Sequence, residues 1–414
     1  MPLRVLHVFG QYLHDTENWA FRLIRDIPDC KVLVGAEQFL KCGFYDPRFE
    51  FIEFPFRQWD RPRRNILERA ANGFISHALL PFYPRWLASQ SGPVDIVHAH
   101  FGYIGWQYLP TARKLRAPLV VSFYGSDYSR LPTEQPVWRE RYRDLFGEAA
   151  LILCEGSHGI EQLVALGCPR EKIAVQHLGI DLKTSVAGRE TEISNDWKNA
   201  AGRLPIIGNF FAPRTKRPGE LRLVQVATMR EKKGHIYTAQ AFREAFADCP
   251  NLTLTFVGGD KEDLKGGVEK ALGPALSRVE FLSGIDFARL HEFLRGFHVF
   301  IHPSVHAANG DCEGGAPVVL LDAQATGMPV IATRHCDIPE EVRNGETGLL
   351  ADEKDVAGLA AAIRRFYAMD QAEYDGFATR AARHVAAEYE TGRNAAALRA
   401  RYDEIAAGHR RAGP

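Results

Sequence analysis

Residues 311–348 read DCEGGAPVVLLDAQATGMPVIATRHCDIPEEVRNGETG, and no other stretch restricts the fold of this chain as much. A glycine pair follows Glu313, and Pro317 stands where the first turn of a helix accepts a proline. The mostly apolar run VVLLDAQAT continues that helix, Gly327 closes it, and Pro329 stops any continuation. PVIAT is then a short buried strand, and HVFIHPS (His298–Ser304) is another one upstream. Strand, loop, helix and strand in this order are the repeat of a parallel α/β sheet. The backbone from Gly314 through Gly315, Ala316 and Pro317 to Val318, together with the helix dipole, forms a seat for an anion. Glu313 lies before the helix and Asp322 about five residues into it, roughly 7–8 Å along the axis. Acceptors on both sides of an anion seat suit a ligand with hydroxyls, a diphosphate and further hydroxyls, which describes a nucleotide sugar.

The same stretch resembles the donor-site signature of the retaining glycosyltransferases of family 4. That signature is a glutamate, a glycine-containing loop, a helix with a second glutamate, and a small-Gly-x-Pro-Val turn. EGGAPVVLLDAQATGMPVIAT followed by HCDIPEEVRNGETGLL is similar to the subgroup that builds bacterial exopolysaccharides, of the colanic acid type. Two departures stand out: the second acid is Asp322, and the interval from Glu313 is one residue longer than the commonest form. The resemblance implies an α/β chain of the GT-B fold, two Rossmann-like domains whose parallel sheets face a cleft. It also implies that Glu313 holds hydroxyls of the donor sugar and that Asp322 holds the ribose.

At 414 residues the chain has room for two to three domains with ample core. A formal net charge of zero argues against a general nucleic-acid binder, which usually carries a basic excess. No uncharged apolar run reaches the length of a membrane span, and MPLRVLHVFG enters a strand without a signal-peptide layout. Seven cysteines with no CxxC pair read as reduced thiols, which points to the cytoplasm. His98 and His100 have no acidic or cysteine companions at metal-ligand intervals, so no metal site is expected.

Leu3–Phe9 reads as the first strand, and Gly10 opens the loop to a helix beginning near Glu17. In the family this loop faces the cleft and carries a Ser/Thr-Glu pair, matched here by Thr16 and Glu17. Asn18 and Trp19 complete the acceptor-side candidates, and Thr16 suits a helix cap equally well. Residues 57–87 hold six arginines against two acids, with aromatic residues interleaved and helical apolar spacing from Ile66. Two readings stand for them: a core-packed helix with a solvated arginine entrance, or a surface resting on anionic lipid at the inner face of the plasma membrane. The strand VDIVHAHFGYIG ends near His100 and PLVVSFYGSD near Tyr124. The family places a histidine at the Tyr124 position, so the resemblance implies a sugar contact for Tyr124. His100 is the nearest cleft histidine, and a buried histidine satisfied by backbone is the other reading.

The unit Ala150–Asp181 ends the first domain (1–182), and the polar residues 183–219 form a linker or insertion. A second domain (220–389) opens with LRLVQVATMREKKGHIYTAQAF, and a C-terminal helix from about 390 to 414 returns to the first. The family neutralises the donor diphosphate here with an arginine and a lysine. Lys233 matches the lysine, and Arg230 stands two residues beyond the arginine position, which is Thr228. Leu282 lies where the family seats the base. Asp352 is positioned to cap the helix EKDVAGLAAAIRRFYAM. The resulting expectation is a metal-independent transferase, without cofactor, moving sugar from a nucleoside diphosphate to a saccharide or lipid-linked saccharide. The alternatives are a nucleotide-sugar epimerase or phosphorylase of the same fold, or an inactive homologue that binds nucleotide sugar. A phosphorylase would need a lysine bearing pyridoxal phosphate, and no such motif is evident.

Overall fold

The computed structural model describes residues 2–13, 18–40, 44–53, 80–182 and 214–412. Thr16, Glu17, most of the arginine-rich stretch and most of 183–219 lie outside the described residues. The chain forms two compact units, one of residues 1–178 with 391–414 and one of residues 179–390.

The first unit carries a seven-stranded parallel sheet. Its strands are β1 (Leu3–Tyr12), β2 (Cys30–Phe39), β3 (Glu50–Glu53), β4 (Ile96–His100), β5 (Leu119–Ser122), β6 (Leu151–Cys154) and β7 (Ile173–Val175). Their order is β3-β2-β1-β4-β5-β6-β7. β4 and β5 are buried at every residue, as central parallel strands covered on both faces must be. β1 runs on to Tyr12, so Gly10 lies within the strand and does not open the loop. The C-terminal helix Thr391–Ala412 belongs to this unit. Its Ala395, Leu398, Tyr402 and Ala406, spaced to share one helical face, join the core of Leu3, Val5, Phe9 and Ile24.

The second unit has six parallel strands: β8 (Leu221–Val226), β9 (Leu252–Val257), β10 (Val279–Leu282), β11 (Val299–His302), β12 (Val330–Thr333) and β13 (Gly348–Ala351). The order is β10-β9-β8-β11-β12-β13. Side chains alternate across this sheet with the period of two that strands impose. Leu223, Ile301 and Ile331 enter one apolar cluster, while Val224, Phe300 and Val330 enter the other. Both sheets therefore have the doubly wound order in which strand succession reverses at a central pair, β1/β4 in one unit and β8/β11 in the other.

One further local expectation is corrected. The helix after β13 spans Val356–Ala368 and is capped by Asp355, whose carboxylate accepts the Gly358 N–H at 2.9 Å. Asp352 instead pairs with Arg334 at 3.0 Å. Helix Gln371–Glu388 ends before the C-terminal helix begins, because Tyr389 turns its carbonyl to the Ile180 N–H at 2.9 Å. Residues 214–219, the described end of the 183–219 stretch, pack within the second unit. Arg214 donates to the carbonyls of Phe297, Thr326 and Leu294, and buried Lys216 donates to those of Arg217, Tyr367 and Met369. Two buried cations thus satisfy carbonyls at helix ends that have no intrahelical donor.

Candidate active site

The loops that leave β8 and β11 at their C-terminal ends start from the switch point of the second sheet, where an open α/β sheet leaves a crevice for ligand. The β8 loop brings Lys233 and the β11 loop brings Glu313, and the Lys233 Nζ lies 2.6 Å from the Glu313 Oε2. Their approach requires a glycine next to Lys233. Gly234 has φ +68°, and a Cβ there would stand 1.8 Å from the Pro303 carbonyl oxygen on the neighbouring loop. The other Glu313 oxygen accepts from the Ser304 hydroxyl at 2.7 Å and faces His302 Nε2 at 3.4 Å. Burial by itself would raise the Glu313 carboxyl. Lys233 first, then His302 and Lys232, outweigh that effect and hold it well below the usual carboxylate range.

The backbone of Glu313 is held as well. Its N–H donates to His335 Nε2 at 3.1 Å, and His335 Nδ1 lies 2.7 Å from Glu353 Oε1. The neutral His335 ring therefore carries its proton on Nδ1 and aims a lone pair at the Glu313 amide. The next cation in this loop pair is Lys232, whose Nζ donates to the Cys312 carbonyl at 2.9 Å and lies 3.2 Å from Asp311. Arg230 instead pairs with Glu262 at 3.4 Å and is substantially exposed. Lys232, Ser304 and His335 were not singled out in the sequence. The doubled lysine of EKKG was the signal for Lys232, whereas Ser304 and His335 depend on where parallel strands end.

Gly314, with φ +86°, turns the chain between Glu313 and the helix. That helix spans Val319–Ala325, two residues later than Pro317 suggested, so Val318 is its cap and Asp322 stands in its first turn. Ala316 is buried and packs into the cluster with Leu320 and Val330, and Gly315 accepts the Asp337 N–H at 3.1 Å. The Asp322 carboxylate is buried and lies 2.9 Å from His291 Nε2, a partner from helix Leu290–Leu294 that the sequence did not single out. Leu282 ends β10 and its carbonyl accepts the Gly258 N–H at 2.9 Å.

In the first unit His100 lies at the end of β4 and Tyr124 just beyond β5. They meet through His100 Nδ1 and the Tyr124 hydroxyl at 2.9 Å. Trp19, in helix Asn18–Arg25, packs on Tyr124 with ring centroids 4.3 Å apart, and Phe9 stacks on His100 at 4.2 Å. The register that pairs His7 with His98 adds a third histidine, with His7 Nδ1 3.1 Å from His100 Nε2. His98 lies between the hydroxyls of Ser122 and Tyr402. All three histidines are fully buried, and burial lowers their basicity, that of His7 to about 3. Gly10 packs against Ile104, where a Cβ would meet the side chain at 3.2 Å.

The chain is similar in fold to HepE of Anabaena in complex with UDP and glucose, with a TM-score of 0.68, 16% identity and coverage of 98% of this chain and 100% of that one. Sucrose-phosphate synthase of Thermosynechococcus elongatus gives 0.70 at 16% identity, over 98% and 100%. Two Rossmann-ordered units with this likeness define the GT-B fold. The family model for group 1 glycosyl transferases matches residues 220–369, and that for Glycosyltransferase Family 4 matches residues 39–184. WcaL of Salmonella typhimurium, named for colanic acid biosynthesis, is 30% identical over 314 residues, 73% of this chain and 68% of its own length. The chain belongs to glycosyltransferase family 4. The amylovoran biosynthesis glycosyltransferase AmsK of Erwinia amylovora is also 30% identical, over 70% of this chain and 66% of its own. The chain thus spans about two-thirds of the length of these relatives.

Proposed function

We propose that this enzyme transfers a sugar from a nucleoside diphosphate, with retention at the anomeric carbon, to a hydroxyl of a saccharide or lipid-linked saccharide during assembly of a bacterial polysaccharide or glycolipid. The observation that carries the reading is the Lys233–Glu313 pair at the switch point. In the bound state Lys233, with Lys232 beside it and Arg230 at the rim, faces the diphosphate, where charge develops as the glycosidic bond breaks. No metal is needed for that charge. Glu313, its carboxylate fixed by Ser304 and His302, accepts from hydroxyls of the donor sugar. Asp322 with His291 faces the ribose, and Leu282 the base. Tyr124, backed by His100, contacts the sugar or its acceptor from the first unit, together with Trp19 and the segment of Thr16, Glu17 and Asn18. The relatives named for colanic acid and amylovoran biosynthesis support a polysaccharide product. No helix of the described residues is long and apolar enough to cross a membrane. The arginine and aromatic composition of 57–87 supports a cytoplasmic enzyme resting on anionic lipid at the inner face of the plasma membrane.

The test is a thermal-shift screen of UDP-, GDP-, ADP- and TDP-sugars followed by turnover with saccharide acceptors. A ligand at 100 times its Kd stabilises by about 2.7 kcal/mol. Acceptor-dependent release of nucleoside diphosphate, with an α-linked product from an α-linked donor, is the expected result. Binding without release would reduce the protein to a nucleotide-sugar-binding homologue.

A further inference from the structure

Beside Glu313, and independent of any role in sugar transfer, lies a group of soft metal ligands. We propose that His306, Cys312 and Cys336 form a binding site for a soft divalent transition-metal ion, with zinc the preferred ion. Their ligating atoms lie within 4.8 Å of one another. A tetrahedral zinc ion with bonds of about 2.0–2.3 Å sets its ligands roughly 3.3–3.8 Å apart. Small side-chain rotations therefore close the site.

The surroundings suit the ion. Glu353 grips His306 twice, its Oε2 accepting the backbone N–H at 2.9 Å and its Oε1 facing Nδ1 at 2.8 Å. With the proton on Nδ1, the lone pair of His306 is on Nε2, and a carboxylate behind an imidazole is the usual support of a metal-bound histidine. The turn after β12 bends sharply at Cys336, a non-glycine residue at φ +46°. There the Cys336 sulfur lies 3.2 Å from His335 Nε2, on the side of the turn that faces the β11 loop. Cys312 is buried, whereas His306 is half exposed and opens the route of entry. Binding forms two metal–sulfur bonds and one metal–nitrogen bond, and the two thiol protons leave to solvent. Water completes the coordination.

The site would act as a clamp. Cys312 precedes Glu313, and the Glu353 that steers His306 also holds His335, on which the Glu313 amide rests. A bound ion joins the β11 loop to the turn after β12. Its charge is structural, and the transfer chemistry stays with the lysines.

The experiment titrates the reduced, chelator-stripped full chain with Co2+ alone and then with Zn2+. One equivalent of Co2+ should bind with sulfur-to-cobalt charge-transfer absorption, release two protons, and be displaced by Zn2+. Cys312→Ser and Cys336→Ser should each lose that absorption, while Cys249→Ser, buried elsewhere in the unit, keeps it. Should the serine variants misfold, alkylation of the wild-type chain followed by peptide mapping decides, since Zn2+ should slow labelling of Cys312 and Cys336 more than tenfold and leave Cys249 unchanged. Absence of the sulfur band, its survival in both serine variants, or unaltered labelling overturns the site. A Cys312–Cys336 disulfide formed by a chain that takes up no metal when reduced overturns it equally.

Discussion

The ammonium of Lys233 lies 2.6 Å from the carboxylate of Glu313, 80 residues away in sequence, where the loops after β8 and β11 meet. Glu313 is almost wholly buried and Lys233 largely so.

Breaking one side of such a pair leaves a buried charge without its partner, which costs about 3–5 kcal/mol. Lys233→Ala should therefore lower stability by roughly 2–3 kcal/mol, because the Lys233 side chain keeps 18% of its surface exposed. Glu313→Gln keeps the shape but leaves the Lys233 ammonium without its carboxylate, so it should also cost roughly 2 kcal/mol of stability, while turnover falls about 10²–10³-fold. In the double variant most of the Lys233→Ala loss should vanish. Urea denaturation of the four proteins measures the coupling, and additive losses would show that the pair contributes nothing.

Asp322 and His291 should behave as one unit. If they hold the ribose, Asp322→Asn and His291→Ala weaken bare nucleoside diphosphate and intact donor alike, by about 1–2 kcal/mol each. Glu313→Gln should spare the bare diphosphate. Calorimetric titration with both ligands checks this, and equal diphosphate losses for Glu313→Gln and Asp322→Asn would remove the division of roles.

The first unit should lose stability in acid. His7, His98 and His100 are depressed by burial, so the unfolded chain takes up protons near pH 6.5 that the folded chain refuses. Their stabilisation is complete above that pH and falls as pH drops toward about 3, by up to about 1.4 kcal/mol per pH unit for each histidine. Asp127 works in the opposite direction. Burial pushes it up to about 8, against the N–H groups of Gly102 and Tyr124 that its carboxylate accepts. Its stabilisation is present below about pH 4 and lost as pH rises through 8. Melting curves from pH 4 to 8 should show Asp127→Asn gaining relative stability at the alkaline end, and a flat difference would refute it.

Arg214→Met should destabilise the second unit by about 3 kcal/mol. It strips donors from the carbonyls of Phe297, Thr326 and Leu294 and from the Thr326 hydroxyl. Arg214→Lys reaches few of these acceptors at once and should recover less than half, by denaturant midpoint.

Replacing Arg61, Arg63 and Arg64 with glutamate should reduce sedimentation with anionic liposomes, and the wild-type interaction should weaken with salt. Equal sedimentation of variant and wild type would leave the core-helix reading of the segment.

The succession of strands and helices was legible along the chain because apolar runs bounded by glycine and proline report local periodicity. The motif around Glu313 was legible because an anion seat, its flanking acids and its glycine pair are contiguous. Lys233 could be recognised from its place before Gly234. What lies between distant segments was not. The sequence could not show that Lys232 reaches the Cys312 carbonyl beside Glu313 while Glu262 draws Arg230 to the rim. Nor could it show that His291 backs Asp322, that His7 joins His98 and His100, or that Arg214 and Lys216 are buried in the second unit. The helix at Val319 and the cap at Asp355 moved by two or three residues for a similar reason, because turn geometry and packing choose among several local caps. Local chemistry determined which groups this protein carries. Strand register, and the meeting of loops at the switch point of each sheet, decided which of them touch, because hydrogen bonds and ion pairs act over about 3 Å and only the tertiary fold brings residues 80 apart to that distance.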